Sequence, residues 1–109
     1  MEYKTEFTLW AISAASMLVA TDVRVLSPLQ REVLLNRELL AVNQRSAPAG
    51  GLMYRPIGTG TEVWARHLDE ATAAVGVFNP INTVRYLTRS HFTERAAFSA
   101  HEYCLIALF

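Results

Sequence analysis

Proline and glycine crowd the stretch QRSAPAGGLMYRPIGTG, Gln44 to Gly60, and the hydrophobic pattern differs on its two sides. Before it, apolar residues fit the 3.6-residue period of a helix; after it they alternate. A helix-period pattern does not settle as a strand, nor the reverse. The chain is therefore expected to run helix, strand, helices, linker and antiparallel β segment, like the tail of an α/β domain joined to a small β domain.

On the helical side, Glu2 to about Ala15 reads as a helix, with acidic residues in its first turn where the helix dipole favours them. Its apolar character runs nearly all round after Phe7, which predicts burial between other elements. MLVAT, Met17 to Thr21, is a short continuous apolar run of strand length, the pattern of a strand covered on both faces. Ser27-Pro28 is a helix start: serine caps free backbone amides and proline fits the first helical position. The helix from there to Gln44 is predicted to break near Asn36 and to turn Leu29, Val33, Leu39, Leu40 and Val42 inward.

On the β side, EVWARHL sets Val63, Ala65 and His67 on one face and Trp64, Arg66 and Leu68 on the other. With TAAVGVFN after the turn-like DEA it predicts a β-hairpin. CLIALF at Cys104 to Phe109 reads as a further strand, and residues 81 to 100 are ambiguous.

Composition excludes several classes of function. An apolar fraction of 51% against 18% charged calls for a core rather than disorder. Ten basic and ten acidic residues cancel without clustering, so the electrostatic footprint of a nucleic-acid binder is absent. The uncharged run FTLWAISAASMLVA, Phe7 to Ala20, falls short of the roughly 20 residues that span a bilayer. MEYKTE before it lacks the positive region of a signal peptide, and Leu18 is bulky where a cleavage site wants a small residue. The single cysteine, Cys104, forms no internal disulfide and leaves the compartment open.

Two segments resemble a known family. EYKTEFTLWAISAASMLVATDVRVLSPLQREVLLNRELLAVNQ, Glu2 to Gln44, and TEVWARHLDEATAAVGVFNP, Thr61 to Pro80, are similar to the melibiase-type α-galactosidases and α-N-acetylgalactosaminidases. The matching features are Phe7 with Leu9-Trp10-Ala11, the TDVR of Thr21 to Arg24, Ser27-Pro28, LLAVNQ, EVWAR and VGVFN. The chain departs from the family at Ser16, where a proline is usual, and in RSAPAG after LLAVNQ. The resemblance implies an α+β fragment: the last helix and strand of a (β/α)₈ TIM barrel with its closing helices, then a truncated antiparallel β domain. On that map residues 1–45 end the barrel, 46–60 link, and 61–109 form the β domain.

The resemblance further implies hydrolysis of terminal α-linked galactose by a retaining mechanism, with no metal or organic cofactor. Retaining glycosidases use two carboxyl groups about 5 Å apart. The family's two catalytic aspartates belong to motifs that no position here matches, so no catalytic residue is expected in this chain. Asp22 matches the aspartate after the last barrel strand. With Arg24 it is expected to form a supporting ion pair on the active-site face. Relatives are commonly secreted or lysosomal. The expected partners are galactosides within a full enzyme and a missing barrel half or a second copy; a stand-alone chain would need a partner to cover Phe7, Trp10, Met17 and Val19. A stand-alone binding or interaction module of the same family is the alternative.

The remaining polar residues read as structural. Asp69-Glu70 fall in a predicted turn, and Glu32 and Glu38 sit beside Arg31 and Arg37 on an exposed helix face. HEYC, His101 to Cys104, resembles a zinc-protease motif, but its second histidine would fall at Leu105. His67, His91, His101 and Cys104 lack the short regular spacing of a zinc site, so no metal is expected. Trp10 reads as a core residue, as does Trp64, which has the sharper claim to stack on a sugar.

Overall fold

The computed structural model describes residues 2–55, 60–81 and 102–107, the last of these by their backbone. It is an α+β arrangement of three helices against a four-stranded sheet: α1 Glu2–Ile12, α2 Pro28–Leu34, α3 Arg37–Gln44, β1 Gly51–Tyr54, β2 Glu62–His67, β3 Thr72–Phe78 and β4 Glu102–Ala107.

Local chemistry sets the helix ends. Ser27 Oγ accepts the Gln30 amide at 3.2 Å while Gln30 Oε1 accepts the Ser27 amide at 2.9 Å, a reciprocal capping box ahead of Pro28. Asn36 ends one helix and starts the next: its Oδ1 accepts the amides of Glu38 and Leu39, each at 3.1 Å. Helix α1 stops three residues earlier than its composition predicts. Ala14 adopts a left-handed φ of 54°, and the amides of Ala14 and Ala15 turn back to the carbonyls of Ala11 and Trp10. That is a Schellman ending with alanine where glycine is usual.

The sheet order is β1-β2-β3-β4. Strands β1 to β3 are antiparallel, with Val63 opposite Val77 and Arg66 opposite Ala74. β4 runs parallel to β3, which corrects the expectation of a wholly antiparallel sheet. A parallel neighbour needs a crossover of a dozen or more residues, and the chain between Phe78 and Glu102 is long enough to supply one. Most of that chain, 82–101, lies outside the described residues, as do His91, His101 and the end of the expected last strand.

The core has two parts. Val63, Ala65, Ala73 and Val75 pack on one face of the hairpin with Tyr54. On the other face, Ala74 joins Phe7 and Ala11 of α1, Val33 of α2, and Leu39 and Val42 of α3, with Met17 and Leu68 at the margin. Burying apolar area at about 25 cal/mol per Å² holds helices and sheet together across that second cluster. Of the predicted inward set, Val33, Leu39 and Val42 are buried and Leu40 is half-buried, whereas Leu29 is exposed. Helix α1 is buried on one side only, through Phe7, Thr8, Ala11 and Ile12, and Trp10 stands 45% exposed rather than in the core.

Two further expectations are corrected. Met17 to Thr21 forms no strand, and Leu18 is 82% exposed. A strand needs a neighbour for its ladder, and none of the described strands lies beside this segment. Conversely, Gly51–Tyr54 inside the proline- and glycine-rich stretch does form a strand, because β2 offers it an edge.

Candidate functional site

Asp22 and Arg24 come together in the turn after the irregular 17–21 segment. Asp22 accepts Arg24 Nε at 2.9 Å on Oδ1 and Nη2 at 2.8 Å on Oδ2, a bidentate pair. Asp22 Oδ1 also accepts the Arg24 amide at 3.0 Å and so caps the single 3₁₀ turn Val23–Val25. Both side chains are solvent-facing. The guanidinium, and then the amide, hold the Asp22 carboxyl below its ordinary value, and the carboxylate raises Arg24 in turn.

Beside this turn lies a half-open groove of about 330 Å³ between α1, α2 and residues 18–21. Phe7, Trp10, Leu18 and Val33 make its walls apolar; Glu6 and Gln30 are its polar margin. Trp10 therefore borders open space. Trp64 instead sits half-buried in β2 and donates its indole N–H to Glu62 Oε2 at 2.9 Å.

Sequence reasoning missed Arg66. Alternation puts it on the helix-facing side of β2, and there it is only 2% exposed. Among the described residues its guanidinium donates to backbone carbonyls alone. Nε reaches Pro48 O at 2.9 Å; Nη1 reaches Val42 O at 2.5 Å, Asn43 O at 3.2 Å and Ala11 O at 3.4 Å. Nη2 reaches Arg45 O and Ala47 O, each at 2.8 Å. The carbonyls of Ala11, Val42 and Asn43 belong to the last turns of α1 and α3, where intrahelical partners run out and the dipole is negative. A signal was present: α3 has no basic residue of its own in its last turn, and the segment after it is too rich in proline and glycine to continue the helix.

The remaining ion pairs among the described residues join neighbouring elements. Arg45 at the end of α3 donates to Asp69 Oδ2 at 2.9 Å, while Asp69 Oδ1 accepts the amides of Ala71 and Thr72 and shapes the β2–β3 turn. Arg55 donates to Glu62, and Lys4 lies 3.5 Å from Glu32. Among the described residues no three histidine, cysteine or acidic side chains gather as a metal site would require, and no helix is long and apolar enough to cross a membrane.

Comparison with known proteins bears directly on this arrangement. Residues 2–45 match the family model described as Alpha galactosidase A. An α-galactosidase of Oryza sativa subsp. japonica is 37% identical over 78 residues, 72% of this chain and 18% of that protein. The α-N-acetylgalactosaminidase of Gallus gallus is 29% identical over 104 residues, 91% of this chain and 26% of that protein. Human α-galactosidase A is 35% identical over 75 residues, 69% of this chain and 17% of that protein. The chain belongs to the melibiase-type α-galactosidase family. It spans about a fifth of the length of the curated relatives it matches.

A glycosidase of the retaining kind requires one carboxyl group raised enough to hold a proton near neutrality. Among the described residues three carboxyls are displaced, and they move the other way. Asp22 is lowered by Arg24; Glu62 is lowered chiefly by the Trp64 indole N–H and further by Arg55; Asp69 is lowered by the Ala71 amide, Thr72 and the charge of Arg45. Each is a carboxylate committed to a structural donor.

Proposed function

We propose that these 109 residues act as the barrel-closing and β part of a retaining α-galactosidase whose two catalytic carboxyls come from other residues. The observation that carries this reading is the coverage: the match runs over 69–91% of this chain in α-galactosidases and an α-N-acetylgalactosaminidase of which it makes up only 17–26%. In this reading residues 1–45 complete a (β/α)₈ barrel, 46–60 link, and 61–109 form a shortened β domain. Met17 to Thr21 becomes a ladder-bonded strand when neighbouring barrel strands are present. The turn of Asp22 and Arg24 then lies at the C-terminal end of a barrel strand, the active-site face of such barrels. Its ion pair holds the loop in shape while other groups carry out the displacement at the terminal α-galactoside.

The open groove beside Trp10 favours a second reading, a stand-alone binding or interaction module of the same family. Purified chain assayed with p-nitrophenyl α-galactoside, and titrated with galactose by calorimetry, separates the two. The first reading expects no turnover above buffer and no saturable binding. Binding without hydrolysis selects the second, and saturable turnover by this chain alone overturns both. Immunodetection in native material with an antibody to Ser46–Thr61 adds the size: a band several times heavier than 12.2 kDa accords with the first reading.

A further inference from the structure

Arg66 is buried opposite Ala74, on the face of β2 and β3 that meets the helices, and among the described residues its guanidinium donates only to backbone oxygens. Five of those oxygens, from Val42, Asn43, Arg45, Ala47 and Pro48, come from one continuous stretch of chain. The sixth, Ala11 O, belongs to the last turn of α1. Residues 42–50 are thus wrapped as a strap around a cation that the sheet contributes. The strap ends at Gly50, whose amide bonds Ile12 O at 3.0 Å. A buried cation costs several kcal/mol of desolvation unless it is fully hydrogen-bonded, and here backbone dipoles supply that compensation.

We infer that Arg66 is a latch: it closes the 42–50 strap on the sheet and makes the helices and the β-hairpin one cooperatively opening unit. The proline- and glycine-rich stretch, a boundary of composition, is then no boundary of stability. Only a planar fork of donors can address oxygens from so many directions. A lysine brings a comparable charge but one ammonium group on a flexible stem. Opening the strap strips the guanidinium of its partners in the interior, so the strap opens only when α1, α3 and β2 separate together.

Native-state hydrogen exchange on the 109-residue chain tests this. In the unsubstituted protein the amides of the last turn of α3, of Gly50 and of β2 and β3 are expected to share one opening equilibrium with a common denaturant dependence. In Arg66→Lys the α3 and Gly50 amides are expected to exchange about tenfold or more faster and to open apart from the β2–β3 amides, which are slowed by a separate and rarer opening, because lost charge-assisted bonds free the strap from the sheet. Independent opening of helical and sheet amides in the unsubstituted chain overturns the latch, as does Arg66→Lys with coupling intact. Should Arg66→Lys fail to fold, the unsubstituted chain still decides through the Arg66 Nε–H itself. A latch protects that proton from solvent exchange with the same free energy as the β2 amides, and rapid exchange there refutes it.

Discussion

The carbonyl of Ile12 accepts the amide of Gly50 at 3.0 Å, joining the end of α1 to the entry of β1. The approach is close enough that a side chain at Gly50 has nowhere to go: a Cβ built there lies 2.6 Å from Arg66 Cβ and from Ile12 O, and it collides with Ala65 O. Two of those obstacles are backbone, which cannot swing aside. Gly50→Ala is expected to destabilise the fold by about 1–3 kcal/mol, the usual cost of overpacking a filled interior. Gly51→Ala, with open space around its Cβ, is expected to change stability little. Urea midpoints of the two variants provide the check, and equal midpoints would remove the close-approach argument.

Ala14 offers the opposite opportunity. Its φ of 54° costs an alanine about 1–2 kcal/mol, and glycine accepts it without a steric penalty. Ala14→Gly is expected to raise stability by about 0.5–1 kcal/mol after the added freedom of the unfolded chain is subtracted. A thermal melt that shifts downward instead would show that α1 does not end in a left-handed turn.

Asp69 sets a pH dependence whose sign is fixed by its donors. Its carboxyl is lowered from 3.8 by the Ala71 amide first, then by Thr72 and Arg45. A depressed folded value means that its contribution is fully present above the unfolded value and is lost as pH falls through the lower, folded one. Asp69→Ala should therefore weaken the protein at neutral pH and weaken it less at acid pH, as the folded carboxyl takes up its proton. Denaturation of parent and variant at the two pH values tests this; an equal gap at both would mean that the charge plays no part.

Much of this architecture was legible because it is written in short-range chemistry. Ser27-Pro28-x-Gln30 and Asn36 state where α2 and α3 begin, and alternation from Val63 to Leu68 states which side chains share a face. The unread parts depend on neighbours distant in sequence. Gly51–Tyr54 is a strand because β2 has a free edge, and Met17–Thr21 is not one because none of the described strands adjoins it. Ala14 ends α1 without a glycine to announce it, where three carbonyls, of Ala11, Ile12 and Ala15, are needed by Arg66, Gly50 and Asn43. Arg66 itself escaped notice because arginine on an alternating strand is ordinarily a solvent-facing residue. At the candidate site, the Asp22–Arg24 pair lies two residues apart and could be read locally; the groove wall at Trp10 depends on how α1 and α2 meet.

Two leucines near the junction of α2 and α3 separate burial from helix propensity. Leu39 is 7% exposed and packs with Phe7, Val33 and Val42, whereas Leu35, next to the α3 cap, is 62% exposed. Alanine has a slightly better helix propensity than leucine, so local preference alone predicts a small gain at Leu39 in α3 and none at Leu35, which follows the end of α2. Burial predicts otherwise: Leu39→Ala leaves a cavity among the residues that fasten α3 to α1 and Ala74, at about 2–5 kcal/mol. Leu35→Ala removes a side chain that is already mostly in water and should fall within about 0.5 kcal/mol of the parent. Since a small domain has roughly 5–15 kcal/mol in total, the first change should shift the denaturation midpoint markedly and the second hardly at all. Similar losses at both positions would mean that the apolar surface around Leu35 is covered in the folded chain, and that the junction of α2 and α3 is packed differently from the arrangement described.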